Sequence, residues 1–304
     1  MGERQRVAVF GLGSMGYGMA ASILRAGHET HGLDVVDASV QRFRDDGGGR
    51  GSRDEIAATL DAVVIVVLNA AQTEAVLFGQ DEERPGIVPQ LPAGAVVIAC
   101  ATVPPSAARD FAARCEAHDV HYLDAPISGG SVKAASGELS VMASGTPEAF
   151  AAARPALDAM AATVFELGDT AGAGSAMKSV NQMLAGVHIA AMAEAITFGM
   201  TQGVSPQRFV EVISQCAGTS WMLENRAPHI VAGDYAPRSS VDIWPKDLGI
   251  VLDVAREARF AAPITAAALQ QFMAASGSGL GAEDDAAVAK VYARNAGLTL
   301  PGAN

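Results

Sequence analysis

Lysine is scarce in this chain. Lys133, Lys178, Lys246 and Lys290 are the only four among 304 residues, and the other permanent cations are all arginine. Arginine cannot act as a base, whereas lysine does so when desolvation lowers its pKa. Cysteine is scarce as well. Cys100, Cys115 and Cys216 are odd in number, far apart and without C-x-x-C spacing, which excludes a disulfide framework and a zinc site and points to a reducing cytoplasm. Positive charge is in deficit, with a formal net charge of -12, so nonspecific attraction to nucleic acid or to an anionic membrane is not expected. The longest apolar stretch, Met183 to Met200, contains His188 and Glu194 and reads as a buried helix rather than a membrane span. At the start, "MGERQRVAVFGLGSMG" places charge before an apolar run, but glycines interrupt it too soon for a signal-peptide core. A small molecule is the expected partner, with no nucleic acid and no membrane.

What is present is a chain long enough for two domains, with half of its residues hydrophobic. Short aliphatic runs ("RVAVFGLG", "ETHGLD", "DAVVIVVL", "GAVVIACAT", "VHYLDAP") alternate with helix-length segments. Continuous apolar runs of this length suit strands covered on both faces, so the first half reads as a doubly wound α/β Rossmann sheet. The "DDGGGRGSRDE" stretch reads as a surface connection and nothing more. After "TVFELGD" the strand-like runs stop and the pattern becomes helical and alanine-rich. We therefore expect a nucleotide domain over 1–168 and an all-α domain over 169–304.

"VAVFGLGSMGYGMA" holds G-x-G-x-x-G at Gly11, Gly13 and Gly16, directly after a predicted strand and opening a predicted helix. In that setting the first glycine makes the turn, the second admits a pyrophosphate, and the third lets the helix pack closely, while helix N-H groups face the phosphates. Leu12, Ser14 and Met15 complete the loop. Asp34 ends the second strand about 20 residues on, where a carboxylate binds ribose hydroxyls and repels a 2'-phosphate. NAD is therefore the expected cofactor, in preference to NADP.

Ser128, Gly129 and Gly130 follow a strand whose C-terminal end faces the same crevice, and a hydroxyl beside two unhindered N-H groups suits a carboxylate. A plain turn has the same composition. Lys178 and Asn181, at i and i+3 of a helix in "AGAGSAMKSVNQ", share a face from which an amine and an amide can converge on one hydroxyl. The competing reading of Lys178 is a lysine snorkelling from a helix end. Lys246 and Asp247 have the spacing of a local surface ion pair. The H-x-x-H pairs His28/His31 and His118/His121 lack a third ligand, so no metal site is expected. "GTSWMLENRAPHI" fits either caps and packing or a polar wall for a hydroxylated ligand.

Taken in order, "GLGSMG", "ATVPP", "DAPISGG", "GAGSAMKSVNQ" and "KDL" resemble the β-hydroxyacid dehydrogenase family, which includes 3-hydroxyisobutyrate dehydrogenase, over nearly the whole chain. The resemblance implies a 6-phosphogluconate dehydrogenase-like fold, Lys178 as catalytic acid/base with Asn181 as companion, and Ser128, Gly129 and Gly130 on the substrate carboxylate. It also implies Leu68, Asn69 and Thr102 beside the nicotinamide, with Lys246 reaching the same crevice. Family members commonly carry two consecutive asparagines after the lysine, and here the second is Gln182. The C-terminal half is most similar to members that oxidise L-threonate at C2 with NAD. That resemblance also implies a homodimer or homotetramer in which the helical domains pack together. The alternatives are oxidation of 3-hydroxyisobutyrate or reduction of tartronate semialdehyde, and more remotely imine reduction or noncatalytic dinucleotide sensing.

Overall fold

The computed structural model describes residues 4–81 and 84–302. Its contacts divide the chain into two units, Met1–Lys178 and Ser179–Asn304. The first contains β1 (Arg6–Phe10), α1 (Gly16–Arg25), β2 (Glu29–Leu33), α2 (Asp37–Asp45), α3 (Arg53–Ile56), β3 (Ala62–Ile65), α4 (Ala70–Phe78), β4 (Gly79–Asp81) and β5 (Arg84–Pro85). It continues with β6 (Val96–Ala99), α5 (Pro105–Glu116), β7 (His121–Asp124), β8 (Ile127–Ser128), α6 (Gly130–Ser136), β9 (Leu139–Ala143), α7 (Pro147–Met160) and β10 (Ala161–Glu166).

Five strands form a parallel sheet in the order β2-β1-β3-β6-β7. Its inner strands are buried along almost their whole length because helices cover both faces. The alternation of a pleated strand sorts their side chains between two cores. Val7, Val9, Val64 and Ile98 pack with Met19, Ile23 and Leu157 on one face. On the other, Ala8, Phe10, Val63, Ile65 and Val97 pack with Leu77, Ile87 and Phe111. Each fully buried aliphatic side chain contributes about 1.5–3 kcal/mol. A second, three-stranded sheet, β10-β9-β8, joins this edge through a bridge between Asp124 and Ser144.

The glycine-rich stretch after α2 does more than connect. A Cβ at Gly49 would strike the His31 ring and one at Gly48 the Phe43 ring, while Ser52 and Glu55 form a capping box that starts α3. The expectation of a bare surface loop is corrected accordingly: the glycines let the backbone pass close over buried rings.

Both units share α8 (Ala173–Thr201), which the division crosses after Lys178. The second unit adds α9 (Pro206–Ile213), α10 (Trp221–Ala232), α11 (Ile243–Glu257), α12 (Pro263–Ala275) and α13 (Ala289–Asn295). Its core brings Ile189, Met192 and Ile196 of α8 against Leu223, Trp244, Leu248 and Phe272. A Cβ at Gly186 would come within 3.0 Å of Trp244 and Leu248, so this glycine permits the close approach of α8 to α11. By length and composition α8 would suffice to cross a membrane, yet this face of it is packed inside the helical unit.

Candidate active site

Parallel pairing sends the chain out at one edge of the sheet after β1, β3, β6 and β7. The strand order reverses between β1, whose next strand lies on one side, and β3 on the other. In open α/β sheets such a switch point is where ligands bind, outside the carboxyl ends of the strands. The loop Gly11–Gly16 lies there. Gly11 has φ +94°, and a Cβ on it would sit 2.4 Å from the Val66 carbonyl oxygen. One on Gly16 would sit 1.8 Å from the Gly11 oxygen, whereas one on Gly13 would meet nothing within 4 Å. The outer glycines are pressed by the protein itself, and the middle one faces open space where a ligand can approach the backbone. Leu12 is buried, Ser14 is exposed, and Met15 precedes α1 without a side-chain cap. The first N-H groups of α1 thus have no side-chain cap at Met15, as a phosphate site requires. Asp34 faces the same loop, its Oδ2 accepting from the Leu12 N-H at 2.5 Å and its Oδ1 from the Val36 N-H at 2.8 Å. Val35 beside it is fully exposed and uncharged. These residues fit a dinucleotide whose ribose hydroxyls meet a carboxylate.

After β3, Leu68 is exposed and donates its N-H to the Gln72 side chain, while Asn69 caps α4 by accepting from the Gln72 N-H at 2.9 Å. Thr102 is half-buried in the turn after β6. Ser128 ends β8, and Gly129 and Gly130 follow with φ of +139° and +78°, conformations that L side chains rarely adopt. Lys178 belongs to this same unit. Its side chain is 9% exposed, and its Nζ donates to the carbonyl of Ile127 at 2.9 Å, one residue before Ser128. The amine and the Ser-Gly-Gly turn are therefore brought together across 51 residues of sequence.

Asp124 explains how α8 is held in place. The residue before Ala173 is Gly172, which has no side chain to cap the helix. Asp124, at the end of β7 and 1% exposed, supplies the acceptor instead: its Oδ2 takes the Gly172 N-H at 3.0 Å and the Ser175 N-H at 2.8 Å, and its Oδ1 takes the Ser175 hydroxyl at 2.7 Å. Ser144, just after β9, accepts the Gly174 N-H and donates to the same carboxylate. Burial raises the Asp124 pKa, and these hydrogen bonds only partly oppose it.

The remaining predicted residues lie in the helical unit. Lys246 pairs with Asp247 at 2.8 Å, but Asp247 is 2% exposed, so the pair is not the surface contact its spacing suggests. The other carboxylate oxygen accepts from the Gln182 side-chain amide, and the Gln182 Oε1 accepts from Asn181. In "GTSWMLENRAPHI", Ser220 caps α10 and Arg226 pairs with the buried Asp285, while Trp221 is exposed. A surface groove bordered by Phe150, Arg154, Glu166 and Asp169 holds none of the predicted residues. Among the described residues no three or more His, Cys, Asp or Glu side chains gather as a metal site.

Residues 6–168 match the NAD binding domain of 6-phosphogluconate dehydrogenase, and residues 172–292 match the NAD-binding domain of NADP-dependent 3-hydroxyisobutyrate dehydrogenase. The chain is 49% identical to L-threonate dehydrogenase of Cupriavidus necator over 98% of both proteins. It belongs to the 3-hydroxyisobutyrate dehydrogenase family. The Escherichia coli K12 L-threonate dehydrogenase is 43% identical over 99% of this chain and 98% of its own. A crystal structure of 3-hydroxyisobutyrate dehydrogenase from Salmonella typhimurium superposes with a TM-score of 0.87 at 46% identity, covering 94% of this chain and 99% of that one. As a member of the 3-hydroxyisobutyrate dehydrogenase family the chain is an NAD-dependent hydroxyacid dehydrogenase, and a Rossmann sheet followed by helices is the architecture expected of it.

Sequence reasoning missed Asp124, Gly18 and the partners of Gln182. A Cβ at Gly18 would lie 2.7–3.0 Å from the backbone of Ala134 and Ala135, so α1 and α6 touch through their main chains there. Ser22 strengthens this contact by donating to the Ala134 carbonyl. An extra glycine inside the helix after the fingerprint was the available signal. For Asp124 the signal was an acid ending an apolar strand, together with a later helix start that has no cap of its own.

Proposed function

We propose that this enzyme oxidises the C2 hydroxyl of L-threonate, forming 2-dehydro-L-erythronate. The observation that carries the reading is the buried Lys178 Nζ anchored on Ile127, immediately before the Ser128-Gly129-Gly130 turn. The high identity to L-threonate dehydrogenases supports the choice of substrate over 3-hydroxyisobutyrate or tartronate semialdehyde. The turn receives the carboxylate through Ser128 and the glycine N-H groups, and Lys178 takes the hydroxyl proton while Asn181 holds the oxygen. NAD, when bound, supplies the hydride acceptor. Gly11 to Gly16 hold its phosphates, Asp34 selects the free 2'-hydroxyl over a 2'-phosphate, and Leu68, Asn69, Thr102 and Lys246 line the remainder of its site. Residues 1–168 bind the nucleotide and contribute the Ser128-Gly129-Gly130 turn to the substrate, while 169–304 supply Lys178, Asn181, Lys246 and the assembly surface, in a cytoplasmic homodimer or homotetramer.

A panel of three- and four-carbon hydroxy acids with NAD and NADP, followed by NADH or NADPH absorbance, tests this reading. L-Threonate with NAD is expected to have the highest kcat/KM. Lys178→Arg keeps the charge but loses the base, and kcat should fall about 10²–10⁴-fold with NAD affinity retained. An undiminished rate in that variant removes Lys178 from the chemistry. Binding of NAD without turnover of any acid favours a dinucleotide sensor.

A further inference from the structure

Gln182 has both ends of its amide engaged. Its Nε2 donates to Asp247 Oδ2 at 2.5 Å, and its Oε1 accepts from Asn181 Nδ2 at 2.9 Å. Gln182 and Asp247 are both buried, and the second oxygen of Asp247 meets the Lys246 ammonium. The roles along this line are not interchangeable. An ionised carboxylate only accepts, so it forces the NH₂ of Gln182 toward itself and the Gln182 oxygen toward Asn181. Only the Asn181 NH₂ can answer that oxygen, and it does so with one of its two N-H groups. A buried charge thereby fixes the orientation of two successive amides.

We infer that Gln182 is a positioning residue: it transmits the direction of the Asp247 carboxylate to Asn181, so that one N-H of the Asn181 amide is held by Gln182 and the second is presented to the substrate oxygen whose proton Lys178 removes. The inference rests on the proposed role of Asn181. An oxygen that gives its proton to Lys178 gains negative charge and needs a donor beside it, and an amide free to rotate would present its carbonyl oxygen half of the time. Asparagine at 182 would be one methylene shorter than the side chain that here spans Asn181 and Asp247, so glutamine is matched to that span.

A double-variant cycle tests this on the full-length enzyme, with kcat and KM for L-threonate measured separately and thermal unfolding as a control. Gln182→Met preserves length and burial without hydrogen bonds, and kcat/KM should fall about tenfold, with KM for NAD unchanged. In an Asn181→Ala background the same substitution should have almost no further effect. Gln182→Glu keeps the acceptor but places a second carboxylate against Asp247, and should not restore the rate, whereas Asp247→Asn should reproduce the Gln182→Met loss. If Asn181→Ala is itself silent, the site reading fails and the inference with it. If Asn181→Ala slows the enzyme but the Gln182 loss is the same in both backgrounds, the inference alone is overturned. Should Gln182→Met not fold, Gln182→Leu takes its place in the cycle under the same criteria.

Discussion

Alanine at Gly16 and alanine at Gly13 change the same loop by one methyl group, and the structure assigns them opposite consequences. At Gly16 the methyl collides with the Gly11 carbonyl, a backbone atom that cannot rotate away, so the turn itself must distort. Overpacking of this kind costs about 1–3 kcal/mol, and Gly16→Ala should lower the urea midpoint accordingly. At Gly13 the methyl enters open space, so the free protein should unfold at the wild-type midpoint. The space is where a phosphate would come, and NAD affinity should drop about tenfold or more, a change of about 1.4 kcal/mol or greater. Urea unfolding paired with NAD titration separates the two variants. Equal stability losses in both would show that Gly13 is glycine for the fold and not for the ligand.

At the scale of elements, the position of Lys178 depends on how α8 begins, and α8 begins on a carboxylate from another strand. Asp124→Asn turns an amide NH₂ toward N-H and O-H donors. At least one donor then loses its acceptor in a buried place, which costs about 1–3 kcal/mol. The pH dependence has a definite sign. Because burial raises the folded-state pKa of Asp124, the native protein holds this proton more tightly than the unfolded chain. Stability from this group is greatest below the ordinary aspartate pKa and declines as pH rises from there through the raised folded value. The variant lacks that decline, so the stability gap between wild type and Asp124→Asn should be widest in acid and narrow as pH rises through that window. Urea unfolding across a pH series measures it, and a gap that widens with pH contradicts the assignment. This contact also shows where legibility stops. Strand runs, the glycine turn and the change to helical pattern are local signals, and the structure reproduces them. The bonds from Asp124 to Ser175, Ser22 to Ala135 and Gln182 to Asp247 span 51, 113 and 65 residues, and periodicity carries no information about which distant elements will meet. Lys178 was legible because a rare residue stood out in an apolar setting, although its anchor on Ile127 was not.

At the scale of the whole molecule, α8 carries apolar side chains on two opposite sides. Its inward face carries Ile189, Met192 and Ile196, but Val180, Leu184 and Phe198 are exposed on the opposite side, at spacings of four and fourteen residues that keep them in one stripe. Water contact along such a stripe is unfavourable by about 25 cal/mol for each Å² of apolar surface, which a second copy of the chain would remove. A net charge of -12 opposes unspecific association between copies. Phe198 is 65% exposed, and a charged residue there should change the stability of a single chain by no more than about 0.5 kcal/mol. In an assembly built on α8 the same charge would be buried without a partner, which is far more costly. Phe198→Glu combined with Leu184→Glu should therefore reduce the mass measured by light scattering to that of a smaller species while circular dichroism stays unchanged. If the wild type is already monomeric, or the double variant keeps the wild-type mass, the stripe is not the contact between copies.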